Sequence, residues 1–286
     1  MRSGILVALT GLLALSGCTG VVPLDEIMLE PSPEITTTPA DLGADYEEVS
    51  VPVAEGRSIT AWYVPAPQPK ALLVVLPGAA MNKSLYATIA VPLVADTDYD
   101  LLLMDYEGFG NSPGTATLRN TVDDALAITR YALTRHRNVG LIGISLGAPL
   151  AARAAADYDV FAIAMEGTVI IEDAMNQWAS HIGWAGRVLR AVGPRILDDH
   201  FPRDFDVLTY ISRARGAKLV IHSTEDTLTP FYSALKVYHA ASPPKYFWPE
   251  YWDHGQMARL EPNLYGRTLM DWFDMVLAQR HQASAQ

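Results

Sequence analysis

Hydrophobic positions along this chain fall into two rhythms. Unbroken apolar runs occur at Ala71-Leu72-Leu73-Val74-Val75-Leu76, Leu101-Leu102-Leu103-Met104, Val139-Gly140-Leu141-Ile142, Phe161-Ala162-Ile163-Ala164-Met165 and Leu219-Val220-Ile221. Runs this short, without polar alternation, predict strands buried on both faces. The stretches between them carry the helical rhythm: residues 84–95, 118–136, the small-residue run 148–156, then 232–241 and the closing 264–281. Within 118–136, Val122, Ala125, Leu126, Ala132 and Leu133 share one helical face. Residues 46–53 and 59–64 alternate instead, around a turn at Glu55-Gly56-Arg57, and predict an antiparallel pair. Lys245-Tyr246-Phe247-Trp248 reads as the last strand. An antiparallel start followed by repeated strand–helix units predicts an α/β fold, a mostly parallel sheet covered by helices on both faces.

The strand–helix alternation pauses over about 168–205. There Ile170, Ile171, Ala174, Met175, Trp178 and Ile182 fall at helical spacing, with Trp184, Val188, Leu189 and Val192 beyond them. A short helical insertion at this point lies over the carboxyl ends of the strands, where a doubly wound sheet places its ligand. Two readings stand side by side: an apolar lid, or tryptophans that fasten the insertion to the core.

The amino-terminal region has a different pattern. Arg2 precedes an apolar stretch, 5–15, broken only by Thr10 and Gly11 and well short of the roughly 20 residues that span a bilayer. Residues 1–17 therefore read as a signal peptide. Leu15-Ser16-Gly17-Cys18 resembles the lipobox of bacterial lipoproteins, which implies that Cys18 becomes the first mature residue and carries lipid on its sulfur. Cys18 is the only cysteine, so no disulfide forms within the chain. The plain alternative is an ordinary secreted protein with an incidental cysteine. Thr19 follows, where aspartate would signal retention at the inner membrane in the lipoproteins this resembles. The expected location is a bacterial cell envelope, lipid-anchored, on the outer membrane facing the periplasm in a Gram-negative cell. Residues 18–45, with Pro23, Pro31, Pro33, Pro39 and Thr36-Thr37-Thr38, read as a tether, and 46–286 as one domain.

Half of the 286 residues are hydrophobic, enough for one large core. A net charge of −11 without basic clusters excludes a nucleic-acid partner. No His-Glu-x-x-His, Cys/His cluster, dinucleotide fingerprint or Walker A motif is present, so neither a metal nor a cofactor is expected.

The chemistry gathers at strand ends. Gly143-Ile144-Ser145-Leu146-Gly147 joins an apolar run to a small-residue helix, the setting of a nucleophile elbow that leaves the Ser145 hydroxyl above the sheet. A serine hydroxyl needs an oriented base. His254 in Tyr251-Trp252-Asp253-His254-Gly255 follows the last strand, and Asp226, four residues before Pro230, follows the strand before it. Glu225 and Asp253 are local rivals for the acid: Glu225 reads as a solvated neighbour, and Asp253 is adjacent to the histidine it would have to face. Histidines 136, 181, 200, 222, 239 and 281 share no spacing.

The order Ser145, Asp226, His254 resembles the α/β-hydrolase superfamily. Within it, the branch of monoacylglycerol lipases and serine-aminopeptidase-like hydrolases is the nearest in pattern. Asp105-Tyr106-Glu107-Gly108-Phe109-Gly110-Asn111-Ser112-Pro113-Gly114 matches that branch's loop after the fourth strand, departing at Glu107, where arginine is usual. The resemblance implies an oxyanion hole made by the N–H groups of Leu146 and Ala79. Pro77-Gly78 stands where His-Gly is usual, and proline replaces a position that donates nothing to the oxyanion. The reading is a serine hydrolase that cleaves a carboxylic ester, its substrate a small-molecule ester or acyl compound, through an acyl-enzyme. The rivals are an aminopeptidase-like serine peptidase, an acyltransferase, and a non-catalytic envelope binding protein that kept the fold. A peptidase would need a carboxylate such as Glu172, Asp173, Asp198 or Asp199 to hold the peptide amine. Oligomeric state is left open.

Overall fold

A computed structural model describes residues 24–54, 56–181 and 203–284 of the chain. The expected signal peptide, Cys18 and the outer part of the insertion, including Trp184, Val188, Leu189, Val192, Asp198 and Asp199, lie outside the described residues.

The apolar runs form the interior of one eight-stranded sheet. Its strands are β1 (Glu47–Pro52), β2 (Ser58–Val64), β3 (Ala71–Leu76), β4 (Tyr99–Met104), β5 (Val139–Ile144), β6 (Ala162–Glu166), β7 (Ala217–Ser223) and β8 (Lys245–Glu250). They lie in the order β1-β2-β4-β3-β5-β6-β7-β8. The β1–β2 and β2–β4 pairs are antiparallel, and every pair from β4–β3 onward is parallel. In chain order the helices are α1 (Leu24–Met28), α2 (Lys83–Val94), α3 (Leu118–Arg135), α4 (Gly147–Asp157), α5 (Ile171–His181), α6 (Val207–Arg213), α7 (Phe231–Ala240), α8 (Met257–Leu260) and α9 (Pro262–Ser284). This is the α/β-hydrolase fold.

β3 shows why its sequence carries no polar alternation. Leu72, Val74 and Leu76 join a core with residues of α3, α4, α6 and α7, while Ala71, Leu73 and Val75 join a second core with residues of α2 and α9. Both faces are dry, so every position is apolar. Each buried valine or leucine contributes about 1.5–3 kcal/mol relative to exposure. On α3 the expected face is the buried one: Val122, Ala125 and Ala132 are in the core, with Leu126 and Leu133 packed at its edge.

Three features differ from the pattern. β4 begins at Tyr99, ahead of its apolar run, because buried Asp100 is satisfied by Tyr63 Oη and by the Ala66 N–H at 2.8 Å. α6 is too short to show a helical rhythm and is capped by Asp206, which accepts from the Thr209 N–H. The described part of the expected tether, residues 24–45, is docked on the domain. Leu29 is buried in the core, Asp25 Oδ1 accepts from the Leu118 N–H at 2.7 Å, and the Glu30 N–H donates to the Ala79 carbonyl at 2.9 Å.

Candidate active site

The elbow is built from steric necessity. A Cβ on Gly143 would lie 2.4 Å from the Gly147 carbonyl oxygen, and one on Gly147 would lie 2.0 Å from that of Leu76. Neither position tolerates a side chain, so the chain turns from β5 into α4 within a space only glycine fits. Ser145, between them, is held at φ 54°, the one non-glycine positive φ among the described residues. Such strain persists only where the surroundings over-determine it, and here the Ser145 N–H is tied to the Glu166 carbonyl at 2.8 Å. β5 and β6 run in register from Gly140↔Ala162 to Ile144↔Glu166, so the serine emerges at the carboxyl edge of the sheet.

His254 and Asp226 reach the same edge from the loops after β8 and β7. His254 Nε2 lies 3.0 Å from Ser145 Oγ, and His254 Nδ1 lies 2.7 Å from Asp226 Oδ2. A carboxylate only accepts, so Nδ1 carries the proton and Nε2 is left to accept from the serine hydroxyl. Asp226 is itself fixed by a tight turn. Its Oδ1 accepts from the N–H groups of Leu228 and Thr229 at 2.8 and 2.7 Å, and its Oδ2 from the Thr229 hydroxyl at 2.8 Å.

Of the two rivals for the acid, Asp253 has a different job. Its Oδ1 accepts from the His254 N–H and from the N–H and hydroxyl of Thr227, tying the β7 and β8 loops together. Glu225 is exposed and lines an open cleft of about 600 Å³ with Asn176, Gln177, Ser180, Thr224, Asp226, Thr227 and Tyr232. α5, the described part of the insertion, forms one wall of this cleft, and Gln177 Nε2 donates to the Asp226 carbonyl at 3.0 Å. Asp173, one candidate to hold an amine, is already engaged by Lys236 and Ser233.

Electrostatics separate the acid from the base. Burial alone would push His254 down. The hydrogen bond and charge of Asp226, helped by Glu166 and Asp253, outweigh it and raise its pKa above the usual 6.5. For Asp226, burial acts upward but is outweighed by the hydrogen bond and charge of His254 and the hydrogen bonds from Thr229, so its pKa falls below 3.8. Asp226 is thus ionised at neutral pH, and His254 is more basic than a free imidazole.

The loop after β3 lies against the serine: a Cβ on Gly78 would be 3.5 Å from Ser145 Cβ. Tyr106 Oη donates to the Pro77 carbonyl at 3.1 Å, and the Gly78 N–H donates to Tyr86 Oη at 2.9 Å. The positions expected to donate to an oxyanion, Ala79 and Leu146, therefore flank Ser145 from this loop and from the start of α4. The loop at 105–114 is a scaffold. Fully buried Asp105 accepts from the Lys83 N–H at 2.6 Å and pairs with the fully buried Lys83 ammonium. Glu107, standing where arginine is usual, is paired with Arg57, so the charge is balanced from β1–β2 instead.

Several neighbours of the site were not singled out by the sequence. The turn that brings Thr229 to Asp226 had a readable signal, because an aspartate favours an Asx turn with the backbone N–H two residues on, here that of Leu228. His222, the last but one residue of β7, is fully buried with Nε2 3.6 Å from Asp226 Oδ2, and nothing in its spacing pointed there. Gly167 has φ 58°, and a Cβ there would lie 2.8 Å from His254 Cε1, so this glycine makes room for the imidazole. Among the described residues no group of His, Cys, Asp and Glu is arranged to hold a metal ion.

Comparison with known proteins agrees with the fold. Residues 67–215 match the family model described as "Serine aminopeptidase, S33". The uncharacterized protein YfhR of Salmonella typhimurium is 26% identical over 225 residues, 71% of this chain and 72% of its own length. Human ABHD12B is 26% identical over 185 residues, covering 59% of this chain and 49% of that protein. A Pyrococcus furiosus esterase superposes with a TM-score of 0.72 at 16% identity, over 87% of this chain and 98% of that one. A Pyrococcus horikoshii acylaminoacyl peptidase gives 0.62 at 18% identity, over 82% of this chain and 42% of that one. At these identities the two structures speak to fold alone.

Proposed function

The chain belongs to the serine aminopeptidase S33 family of α/β hydrolases, and from that premise we propose that it is a serine hydrolase whose triad is Ser145, His254 and Asp226 and whose substrate is a small-molecule carboxylic ester. The observation that carries this reading is the unbroken hydrogen-bond chain from Ser145 Oγ through both ring nitrogens of His254 to Asp226.

In the proposed reaction His254 Nε2 takes the Ser145 proton as Oγ attacks the ester carbonyl. The N–H groups of Ala79 and Leu146 receive the oxyanion, and neither is spent on another acceptor among the described hydrogen bonds. Asp226 holds the imidazole in its Nδ1–H tautomer and stabilises the imidazolium. His254 then protonates the departing alcohol, leaving an acyl-enzyme. Water, deprotonated by the same nitrogen, adds to the acyl carbon and releases the acid with Ser145 restored. An ester makes the smaller demand on this single acid, because an alkoxide is a better leaving group than an amide anion. Exposed Glu225 in the cleft beside Asp226 favours a second reading, an aminopeptidase, in which this carboxylate would hold a substrate ammonium.

Turnover of an activated ester is expected in the wild type and lost in Ser145→Ala; undiminished turnover in that variant contradicts the proposal. A panel of short esters, long esters and aminoacyl amides, with Glu225→Gln alongside, separates the two readings. We further propose attachment to a bacterial envelope membrane through lipid on Cys18. Palmitate incorporation that survives Cys18→Ser would contradict it.

A further inference from the structure

We propose that residues 29–37 form a strap that sets the oxyanion loop, with Asn82 as a positioning residue, so that the segment ahead of the hydrolase domain contributes to transition-state stabilisation. The proposal rests on the serine-hydrolase reading above, because it concerns how the Ala79 N–H is aimed.

The chain from Leu76 to the start of α2 has no ladder of its own, so the orientation of its peptide planes depends on outside contacts. The Pro77–Gly78 plane is held at both ends, its carbonyl by Tyr106 Oη and its N–H by Tyr86 Oη. The Ala79–Ala80 plane is held by the Glu30 N–H on the Ala79 carbonyl at 2.9 Å. Between these two pinned planes lies the Gly78–Ala79 peptide, which carries the N–H assigned to the oxyanion in the proposed reaction. Two of the three clamps come from tyrosines of the domain. The third comes from the strap, outside the region that matches the family model.

Asn82 fastens the strap to the same loop. It is 3% exposed and uses both ends of its amide. Oδ1 accepts from the Ser84 N–H at 3.0 Å, capping α2, while Nδ2 donates to the carbonyls of Ser32 and Glu34 at 3.0 and 2.6 Å. The Ser32 carbonyl also accepts from the Gly110 N–H at 2.9 Å, and Ser84 Oγ accepts from the N–H groups of Thr36 and Thr37 at 2.7 and 2.9 Å. These contacts fasten residues 32–37 to Asn82 at the end of the oxyanion loop, to α2 and to the 105–114 loop, while the Glu30 N–H reaches the Ala79 carbonyl. A small error in donor placement matters, because catalysis depends on donors fixed where the charge develops.

Two variants separate aiming from folding. Glu30→Pro deletes the one N–H on the Ala79 carbonyl, since proline has none. Asn82→Ser keeps an equally good helix cap and loses the reach to Ser32 and Glu34. Both are tested as the full chain, on an activated ester, with an arylboronic acid as the mimic of the tetrahedral oxyanion. The expected result is a roughly tenfold to hundredfold fall in kcat, KM within about twofold, and a matching rise in the boronate Ki. Wild-type kcat and Ki in both variants would overturn the proposal. So would losses that simply follow a fall in Tm, with the boronate Ki unmoved. Ser145→Ala run in parallel distinguishes the premise: if that variant keeps full turnover, the serine-hydrolase reading fails, and the strap proposal fails with it.

Discussion

The nucleophile elbow and the oxyanion loop sit side by side and are specified in opposite ways. At the elbow, five consecutive residues settle the geometry: two glycines that admit no Cβ and a serine forced to positive φ between them. At the loop after β3, local sequence settles little. Its peptide planes are turned by Tyr86, Tyr106 and Glu30, residues spread over more than seventy positions. One half of the site is written in a motif and the other in tertiary contacts. Damage to the first should abolish chemistry outright, and damage to the second should degrade it.

The largest expected effect lies at the elbow. Ser145→Ala should lower kcat by roughly 10⁶-fold, leaving only the residual rate from binding and the hole. Next comes the acid. Asp226→Asn should cost roughly 10⁴-fold by presenting the wrong histidine tautomer. It should also move the acid limb of the pH–rate profile to lower pH. In the wild type, activity is expected to fall as pH drops through the raised pKa of His254, and Asp226 supplies most of what raises it. A limb that stays in place in the variant would show that Asp226 does not set the base.

A smaller effect is expected at Gly167, which belongs to the distributed kind of control. Gly167→Ala places a methyl 2.8 Å from the His254 ring, on a backbone at φ 58°. Displacing the imidazole by a fraction of an ångström or more should cost up to about 10²-fold in kcat. The smallest effect concerns stability alone. Buried Glu250 has its pKa pushed up to about 8, first by burial and then by the charges of Glu166 and Asp226. Between its ordinary 4.5 and about 8 the native state holds a proton that the unfolded state has released, so stability falls as pH rises through that window. Glu250→Gln should therefore leave Tm unchanged in acid and raise it by a few degrees above that window, as thermal melts at several pH values would show.

Residues near the site were legible in proportion to how local their cause is. The strands of the parallel part could be anticipated because strands buried on both faces must be apolar throughout, as β3 is. Ser145, Asp226 and His254 stood out because each follows a strand and carries its own turn residues. Asp253 was passed over as an acid, yet nothing local showed that it would tie two loops together. Asp100 concealed the start of β4, since a buried carboxylate is legible only with its partners Tyr63 and Ala66 in view. Residues 24–45 looked like a tether because their prolines and threonines lack periodicity. Apart from the Leu29 side chain and the Asp25 carboxylate, their binding is largely through backbone groups of Glu30, Ser32, Glu34 and Thr37, which leave no mark in the side-chain pattern. The strap and the oxyanion loop are hard to read from sequence for the same reason.

The most direct test of the serine-hydrolase account is covalent labelling with a fluorophosphonate, followed by mass spectrometry of the adduct. The account predicts one phosphonylated residue, Ser145, in the wild type, much slower labelling in His254→Ala, and none in Ser145→Ala. An adduct on any other residue, or undiminished labelling of Ser145→Ala, would contradict it.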